Sequence, residues 1–307
     1  MSKSLPVFNI SNFDDYNNCM QFESNFYIRK FSEHVKENLF IEKPHGHDFY
    51  LILLVTKGFG NHTIDFLEYE VSEGAMFVVS PGQIHQWNVS EDVDGYILFF
   101  TKDFFLHDFN TDRLINFPFF NSTFSSPYVQ LNNEEREEIA LKYKLIYKEY
   151  QHRSLKYQEM IRMYLNAMFI ELSRIYPEIE GKGKLYGYDL LQLHRYEALV
   201  DKYFKMHRPI SCYSKKMNIT DRQLNYLCKK TVGKKPSEIM TDRIILEAKR
   251  LIIHSDLSIA SIAEELNYKD NSYFIRLFKR ITKQTPEQFR NEQYSRYEKY
   301  WLYRSDD

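Results

Sequence analysis

The sequence predicts a two-domain chain in which an all-β barrel with appended helices precedes an all-α domain. Three observations carry this expectation. Short apolar runs and alternating stretches, punctuated by turn residues, dominate up to about residue 110, and from about 132 the apolar residues recur three and four apart. Charge divides along the chain: residues 1–189 hold 18 Lys and Arg against 27 Asp and Glu, whereas residues 190–307 hold 23 against 15. Between these halves lies "PEIEGKGKLYGYD", where Pro177, Gly181, Gly183 and Gly187 sit among charges and read as a linker.

The chain has 307 residues, 43% of them hydrophobic and 16% aromatic, enough to fill a sizeable core in each domain. The N-terminus "MSKSLPVFNISNFDDYNN" has no apolar signal segment, and no apolar run is long enough to cross a bilayer. Cys19, Cys212 and Cys228 are too widely spaced for a disulfide framework or a structural zinc site, which suits a reducing, cytoplasmic setting. No cofactor and no membrane contact are expected.

The barrel is predicted over about residues 20–110. "LILLVTKGFGNHTIDFLEYEVSEGAMFVVS" gives an apolar strand, a turn at "KGFG", alternation through His62, Ile64 and Phe66, and another turn at "SEG". "SPGQIHQW" supplies a Pro-Gly turn and "DGYILFF" a further strand, a spacing that suits a small antiparallel barrel or sandwich. "NFPFFNSTFSSPY" reads as loop. Helices are then expected over about 132–150, with acidic residues in its first turns, and about 155–176. His62, standing alone, reads as an exposed strand residue.

The basic half is helical almost throughout and contains two similar patterns. Leu224, Leu227 and Cys228 fall at i, i+3 and i+4, as do Phe274, Leu277 and Phe278, the latter preceded by the stripe Ile259, Ile262, Ala263 and Leu266. Each pattern ends in a basic pair and then a proline: Lys229 and Lys230 before Pro236, Lys279 and Arg280 before Pro286. "PSEIMTDRIILEAKRLIIHSD" connects them as one helix, with Pro236 in its first turn. Helix, tight polar turn and helix is the helix-turn-helix plan, whose second helix enters the DNA major groove. Two such units on a basic background point to double-stranded DNA as a partner.

Residues from about 195 to 290 resemble the DNA-binding domain of the AraC/XylS family of bacterial transcription regulators. "SIASIAEELNYKDNSYFIRLFKRITKQTPEQFR" and "TDRIILEAKRLI" carry the resemblance. The first unit matches less well, with Ser214 where the family has Ala and Cys228 where it has Phe. Asn267 replaces the common Gly at the second turn, and Lys283 replaces the Gly before "QTP". A lysine held at positive φ there costs about 1 kcal/mol, unless it takes ordinary helical angles. The resemblance implies base contacts from Arg222, Asn225 and Tyr226 on the first recognition helix and from Asn271, Ser272, Ile275 and Arg276 on the second. Arg276 suits guanine, Asn225 and Asn271 suit adenine, and Ile275 suits only apolar contact such as a thymine methyl. Lys229, Lys230, Lys279 and Arg280 suit phosphates.

"KPHGHDFYLILLVTKGFGNHTIDF" with "SPGQIHQWNV" resembles the cupin-like sensory domain found in members of the same family. His45, His47 and His85 stand where a metallocupin has histidines, but Leu51 and Ile52 occupy the expected place of its glutamate. The three histidines are therefore weak metal candidates. With Tyr50 and Trp87 they are candidates to line an effector pocket inside the barrel, for a small molecule such as a sugar or an aromatic metabolite. The resemblance implies a homodimer formed through the helices at 132–176 and an encounter with RNA polymerase. The expected organisation is a sensing and dimerisation domain over 1–180, a linker over 181–192, a double helix-turn-helix domain over 193–291 and a tail of unassigned role over 292–307. The function this implies is a ligand-responsive, sequence-specific transcription activator of a metabolic operon and not an enzyme. The alternative is a metal-dependent cupin enzyme with an accessory nucleic-acid module.

Overall fold

The computed structural model describes residues 6–13, 25–107, 114, 117–120, 126–175 and 187–302. They fall into two compact units, one within residues 6–185 and one from 186 onward.

The first unit holds ten strands: β1 (Val7–Phe8), β2 (Phe26–Lys30), β3 (His45–His47), β4 (Tyr50–Lys57), β5 (Gly60–Ile64), β6 (Leu67–Val71), β7 (Ala75–Val79), β8 (Ile84–Val89), β9 (Asp94–Phe100) and β10 (Tyr128–Gln130). They form two five-stranded sheets, ordered β1-β3-β8-β5-β6 and β10-β7-β4-β9-β2. Pairing is antiparallel except between β1 and β3, which run parallel. The strands thus begin before the expected barrel and end after it.

The second sheet is buried on both faces, which is why its strands read as continuous apolar runs. Tyr27, Leu51, Leu53, Phe77, Ile97 and Phe99 point into the space between the sheets. Their neighbours Phe26, Ile28, Ile52, Leu54, Leu98 and Phe100 point the other way, onto helices α3 (Asn133–His152) and α4 (Tyr157–Ile175). Two shorter helices, α1 (Phe31–Glu37) and α2 (Lys102–Leu106), complete the unit. The segment read as loop contributes a 3-10 turn at Pro118–Phe120, and Phe117, Phe119 and Phe120 pack on Phe169 of α4. Asn132 caps α3 through its side chain, accepting from the Glu135 amide at 3.0 Å, while Glu135 accepts from the Asn132 amide at 2.9 Å.

At "KGFG" the chain must turn tightly. A Cβ on Gly60, at φ +149°, would stand 2.1 Å from the Asn88 carbonyl oxygen, so only glycine fits.

The second unit is helical: α5 (Gly187–Tyr203), α6 (Ile210–Lys216), α7 (Asp221–Val232), α8 (Pro236–His254), α9 (Ile259–Glu265), α10 (Asn271–Thr282) and α11 (Pro286–Leu302). Residues 187–192, read as part of the linker, already belong to α5, and 181–186 lie outside the described residues. Helix α11 runs past residue 291 into the tail.

The two helix-turn-helix units, α6–α7 and α9–α10, share one turn. Asn218 and Asn267 both adopt left-handed angles, at φ 55° and 60°. The next amide donates back across each turn, Ile219 to the Ser214 carbonyl at 3.0 Å and Tyr268 to the Ala263 carbonyl at 2.8 Å. Both recognition helices end on a left-handed residue, Gly233 at φ 74° and Lys283 at φ 69°. Lys283 therefore accepts the strained angle. Leu224, Leu227 and Cys228 in one unit, and Phe274, Leu277 and Phe278 in the other, are buried as their spacing predicts. Ser214, at the usual alanine position, is buried and satisfied by the Ser211 carbonyl and the Asp221 carboxylate.

Candidate nucleic-acid interface and effector site

On α10 the burial pattern separates two faces cleanly. Phe274, Leu277 and Phe278 anchor the helix, leaving Asn271, Ser272, Ile275, Arg276, Lys279 and Arg280 exposed. Asp270 caps the helix by accepting from the Ser272 amide at 2.8 Å. The Arg276 guanidinium lies 3.7 Å from Asp270, a loose contact between groups that both remain well exposed. All four proposed base-reading residues on α10 thus lie on one open face. Ile275 and Tyr273 are apolar groups left in water there, 37% and 50% exposed.

Helix α7 is arranged similarly but is less free. Thr220 and Gln223 form a reciprocal cap at its start. Arg222 and Tyr226 are exposed and Asn225 is half-buried. Lys230 differs from the expectation of a free phosphate contact: its ammonium meets the Asp189 carboxylate at 2.7 Å and lies 5.9 Å from the Tyr226 ring centroid. Asp189 sits in the first turn of α5, far away in sequence, and nothing local to α7 announces that pairing. Lys229 remains exposed.

In the β unit, the candidate effector residues divide. His45 pairs directly across from His85, and His47 follows on the same face of β3. Ring centroids are 4.3 Å apart for His45 and His85 and 5.0 Å for His47 and His85. Trp87 is buried beside them, stacked on His62 and edge-on to Phe31 and Phe77. Tyr50 does not join them. Its neighbours Phe49 and Leu51 face the histidines, so Tyr50 faces α3 and α4, stacked on Phe100 and edge-on to Phe120.

His62 is not the exposed residue that its sequence suggests. It is wholly buried, with its Nε2 3.0 Å from His85 Nδ1. His34, on α1, is a fifth buried imidazole, held by the Tyr27 hydroxyl at 2.9 Å. Burial lowers the pKa of every one of these rings, to about 3 for His34 and His47, about 4 for His45, and well below the ordinary value for His62 and His85. All five are neutral at pH 7. His45 Nδ1 donates to the Lys43 carbonyl at 2.8 Å and His47 Nδ1 to the Phe49 carbonyl at 2.6 Å, which places the ring lone pairs on Nε2. Among the described residues, His47 Nε2, His62 Nδ1 and His85 Nε2 are buried without a hydrogen-bond partner. Such groups are costly unless water or a ligand meets them.

A metal does not fit this arrangement. Among the described residues no group of three His, Cys, Asp or Glu stands in ligating geometry, and Leu51, at the carboxylate position, packs as core. The interior around the histidines is filled by Phe13, Tyr27, Phe49, Phe77, Trp87 and Phe99.

Comparison with known proteins gives independent findings. The family described as AraC-like ligand binding domain matches residues 25–142, and the family described as Helix-turn-helix domain matches residues 213–292. The chain is 21% identical over 262 residues to the HTH-type transcriptional activator RhaR of Enterobacter sp. (strain 638), covering 83% of this chain and 88% of that protein. It is 24% identical over 263 residues to RhaR of Cronobacter sakazakii, with the same coverage. Among solved structures, ToxT from Vibrio cholerae O395 aligns with a TM-score of 0.41 at 12% identity, covering 87% of this chain and 98% of that one.

Proposed function

Because this chain belongs to the AraC/XylS family of transcription regulators, with a ligand-binding domain ahead of a helix-turn-helix domain, we propose that it is an effector-responsive activator that reads DNA with α7 and α10. Arg222, Asn225 and Tyr226 on α7, and Asn271, Ser272, Ile275 and Arg276 on α10, are the proposed base-contacting residues. Lys229, Lys279 and Arg280, and Lys230 once freed from Asp189, are the proposed phosphate contacts. The observation that carries this reading is the repeated unit itself, two recognition helices with the same turn, the same left-handed residue at the C-terminal end and an open polar face. The two helices would enter successive major grooves about 34 Å apart.

The effector is a small molecule that meets the unpartnered nitrogens of His47 and His85. Neutral imidazoles of this kind favour an uncharged ligand with hydroxyl groups, such as a sugar, over a strong anion. Tyr50 leaves the proposed pocket and His62 joins it. Burial of the ligand among packed aromatics requires some of them to move, and that movement is the proposed signal.

Helix α4 supports a homodimer. Met160, Met163 and Ile170 are 39–48% exposed on the face opposite its buried residues Ile161, Leu165, Met168 and Leu172. An apolar stripe of this kind suits a twofold partner. Contact with RNA polymerase and a cytoplasmic location belong to the same reading; no helix among the described residues is long and apolar enough to cross a membrane. The regulator reading is preferred to a metal-dependent enzyme because the histidines lack a ligating geometry.

Genome-wide recovery of DNA bound by the full chain tests the reading. A shared motif of two short half-sites is expected. No enrichment, together with turnover of a metal-loaded protein that is lost in His45→Ala, His47→Ala and His85→Ala, would overturn it.

A further inference from the structure

Several cations of the helical unit are neutralised within it. Lys205 meets Glu265 at 2.6 Å, Lys234 meets Asp242 at 2.6 Å, and Arg243 contacts Asp201 at 2.5 Å and Glu247 at 2.9 Å. Three others are gathered with no carboxylate partner among the described residues. The ammonium of Lys216 lies 4.9 Å from the Tyr203 ring centroid, that of Lys202 lies 5.5 Å away, and the Arg208 guanidinium lies 5.6 Å away. No two of these charges can therefore be more than about 11 Å apart. Partial burial pushes the Tyr203 hydroxyl up, but Lys202 and Lys216 more than offset this and hold it below the ordinary phenol value.

Like charges crowded on one ring repel, and cation–π attraction of about 0.5–1 kcal/mol each at an exposed site returns only part of that cost. An anion removes the rest. The place of the cluster says which anion. Lys216 is the last residue of α6, immediately before the turn into α7. Arg208 comes from the segment joining α5 to α6, and that segment is pinned to the other unit's turn. There His207 Nε2 donates to the Leu266 carbonyl at 2.7 Å, its ring meets Tyr268 edge-on, and Lys205 reaches Glu265. The cluster thus joins a residue beside the first turn, Lys216, to one next in sequence to His207, which is held at the second turn. On a duplex whose successive major grooves receive the two recognition helices, the phosphates of the intervening minor groove pass between the same turns.

Building on the DNA-binding reading above, we propose that Lys202, Arg208 and Lys216, arrayed on Tyr203, form a backbone-phosphate clamp that grips the duplex between its two base-reading contacts. The clamp adds affinity and fixes register without adding sequence preference.

The test is a salt titration of binding by the full chain to a mixed-sequence DNA duplex. Each phosphate neutralised contributes about 0.9 to the slope of log affinity against log salt. The variant Lys202→Gln, Arg208→Gln, Lys216→Gln should lose about 2 to 3 from that slope and bind all sequences more weakly by one common factor. Its base preference in a selection from random DNA should be unchanged. Lys216→Gln alone should lose about 1, which keeps the test open if the triple variant melts early. Lys279→Ala serves as the positive control. A triple variant with the wild-type slope, while Lys279→Ala lowers it, would overturn the clamp and leave the DNA-binding reading intact. A wild-type chain that binds no duplex would overturn both.

Discussion

Lowering the pH should destabilise the β unit before its carboxylates titrate. Five imidazoles, His34, His45, His47, His62 and His85, are buried and neutral, with pKa values depressed by desolvation. In the unfolded chain each returns to about 6.5 and takes up a proton, so the unfolded state binds more protons and stability falls as pH drops. For a ring that stays neutral in the fold, going from pH 7 to pH 5.5 costs about 1.2 kcal/mol by this linkage. His34, His45 and His47, with folded values near 3 to 4, together cost about 4 kcal/mol. His62 and His85 shift in the same direction and add to it.

Domains of this size lose about 2–4 °C of Tm per kcal/mol, so the three alone predict a fall of about 8–16 °C. Trp87 sits against His62 and reports the unit directly; Trp301→Phe removes the other tryptophan. Thermal melting of that variant, followed by tryptophan emission at pH 7 and pH 5.5, gives the number. The helical unit is an internal contrast. There His194 is depressed to about 4, but burial and the nearby Asp201 raise Glu197 well above the carboxylate range. A raised acid stabilises the fold as pH falls and offsets His194. Trp87 and helical melting temperatures that fall together, or a Trp87 transition that does not move, would refute the reasoning.

Arg276→Ala should relax base choice at one operator position by about 1–3 kcal/mol, whereas Lys279→Ala should weaken all sequences alike; parallel selections from random DNA separate the two. Lys283→Gly should raise the stability of the helical unit by up to about 1 kcal/mol in urea melts, because the strained left-handed angle at φ 69° suits glycine. Met163→Glu with Ile170→Glu should shift the full chain to monomer in sedimentation experiments, since both side chains lie on the exposed apolar face of α4. Asp189→Asn should release Lys230 and raise the salt slope of duplex binding by about 1; an unchanged slope means that Lys230 does not reach phosphate even when free.

Helix periods, turns and caps in the basic half were legible because each depends on residues close in sequence. Asn267 at the turn and Pro236 at a helix start needed no distant partner to be understood. The β half was less legible where both faces of a strand are buried. In "YLILLV" nothing alternates, so the inward parity of Phe49 and Leu51, which sends Tyr50 outward, is invisible until the helices are in place. The burial of His62 does have a signal in the sequence. His62 shares its parity with Ile64, and Ile64 is core. Polarity pointed outward, but a neutral imidazole with a histidine partner at 3.0 Å tolerates the interior. Lys230 and the cations around Tyr203 were beyond any local pattern, since both arrangements join segments distant in the chain.

The two recognition helices, alike in backbone, are wired differently, and this bears on how each contributes to DNA binding. On α10 the basic residues Arg276, Lys279 and Arg280 are exposed, and the contact of Arg276 with Asp270 is loose at 3.7 Å. Such a pair is worth little in water and yields readily to a guanine edge. On α7, Lys230 is half-buried in a pair with α5, and the Ser214 and Asp221 side chains tie the helix start to α6. A cation already paired gains less by meeting phosphate, because the first partner must be released. The expected division is that α10 supplies the larger share of sequence choice and salt dependence. Helix α7 serves more as a positioned second contact, whose strength depends on whether α5 keeps or releases Lys230. Helix α5 is the first described element after the segment joining the two units, so the Lys230–Asp189 pair gives a change at its start a direct physical route to α7.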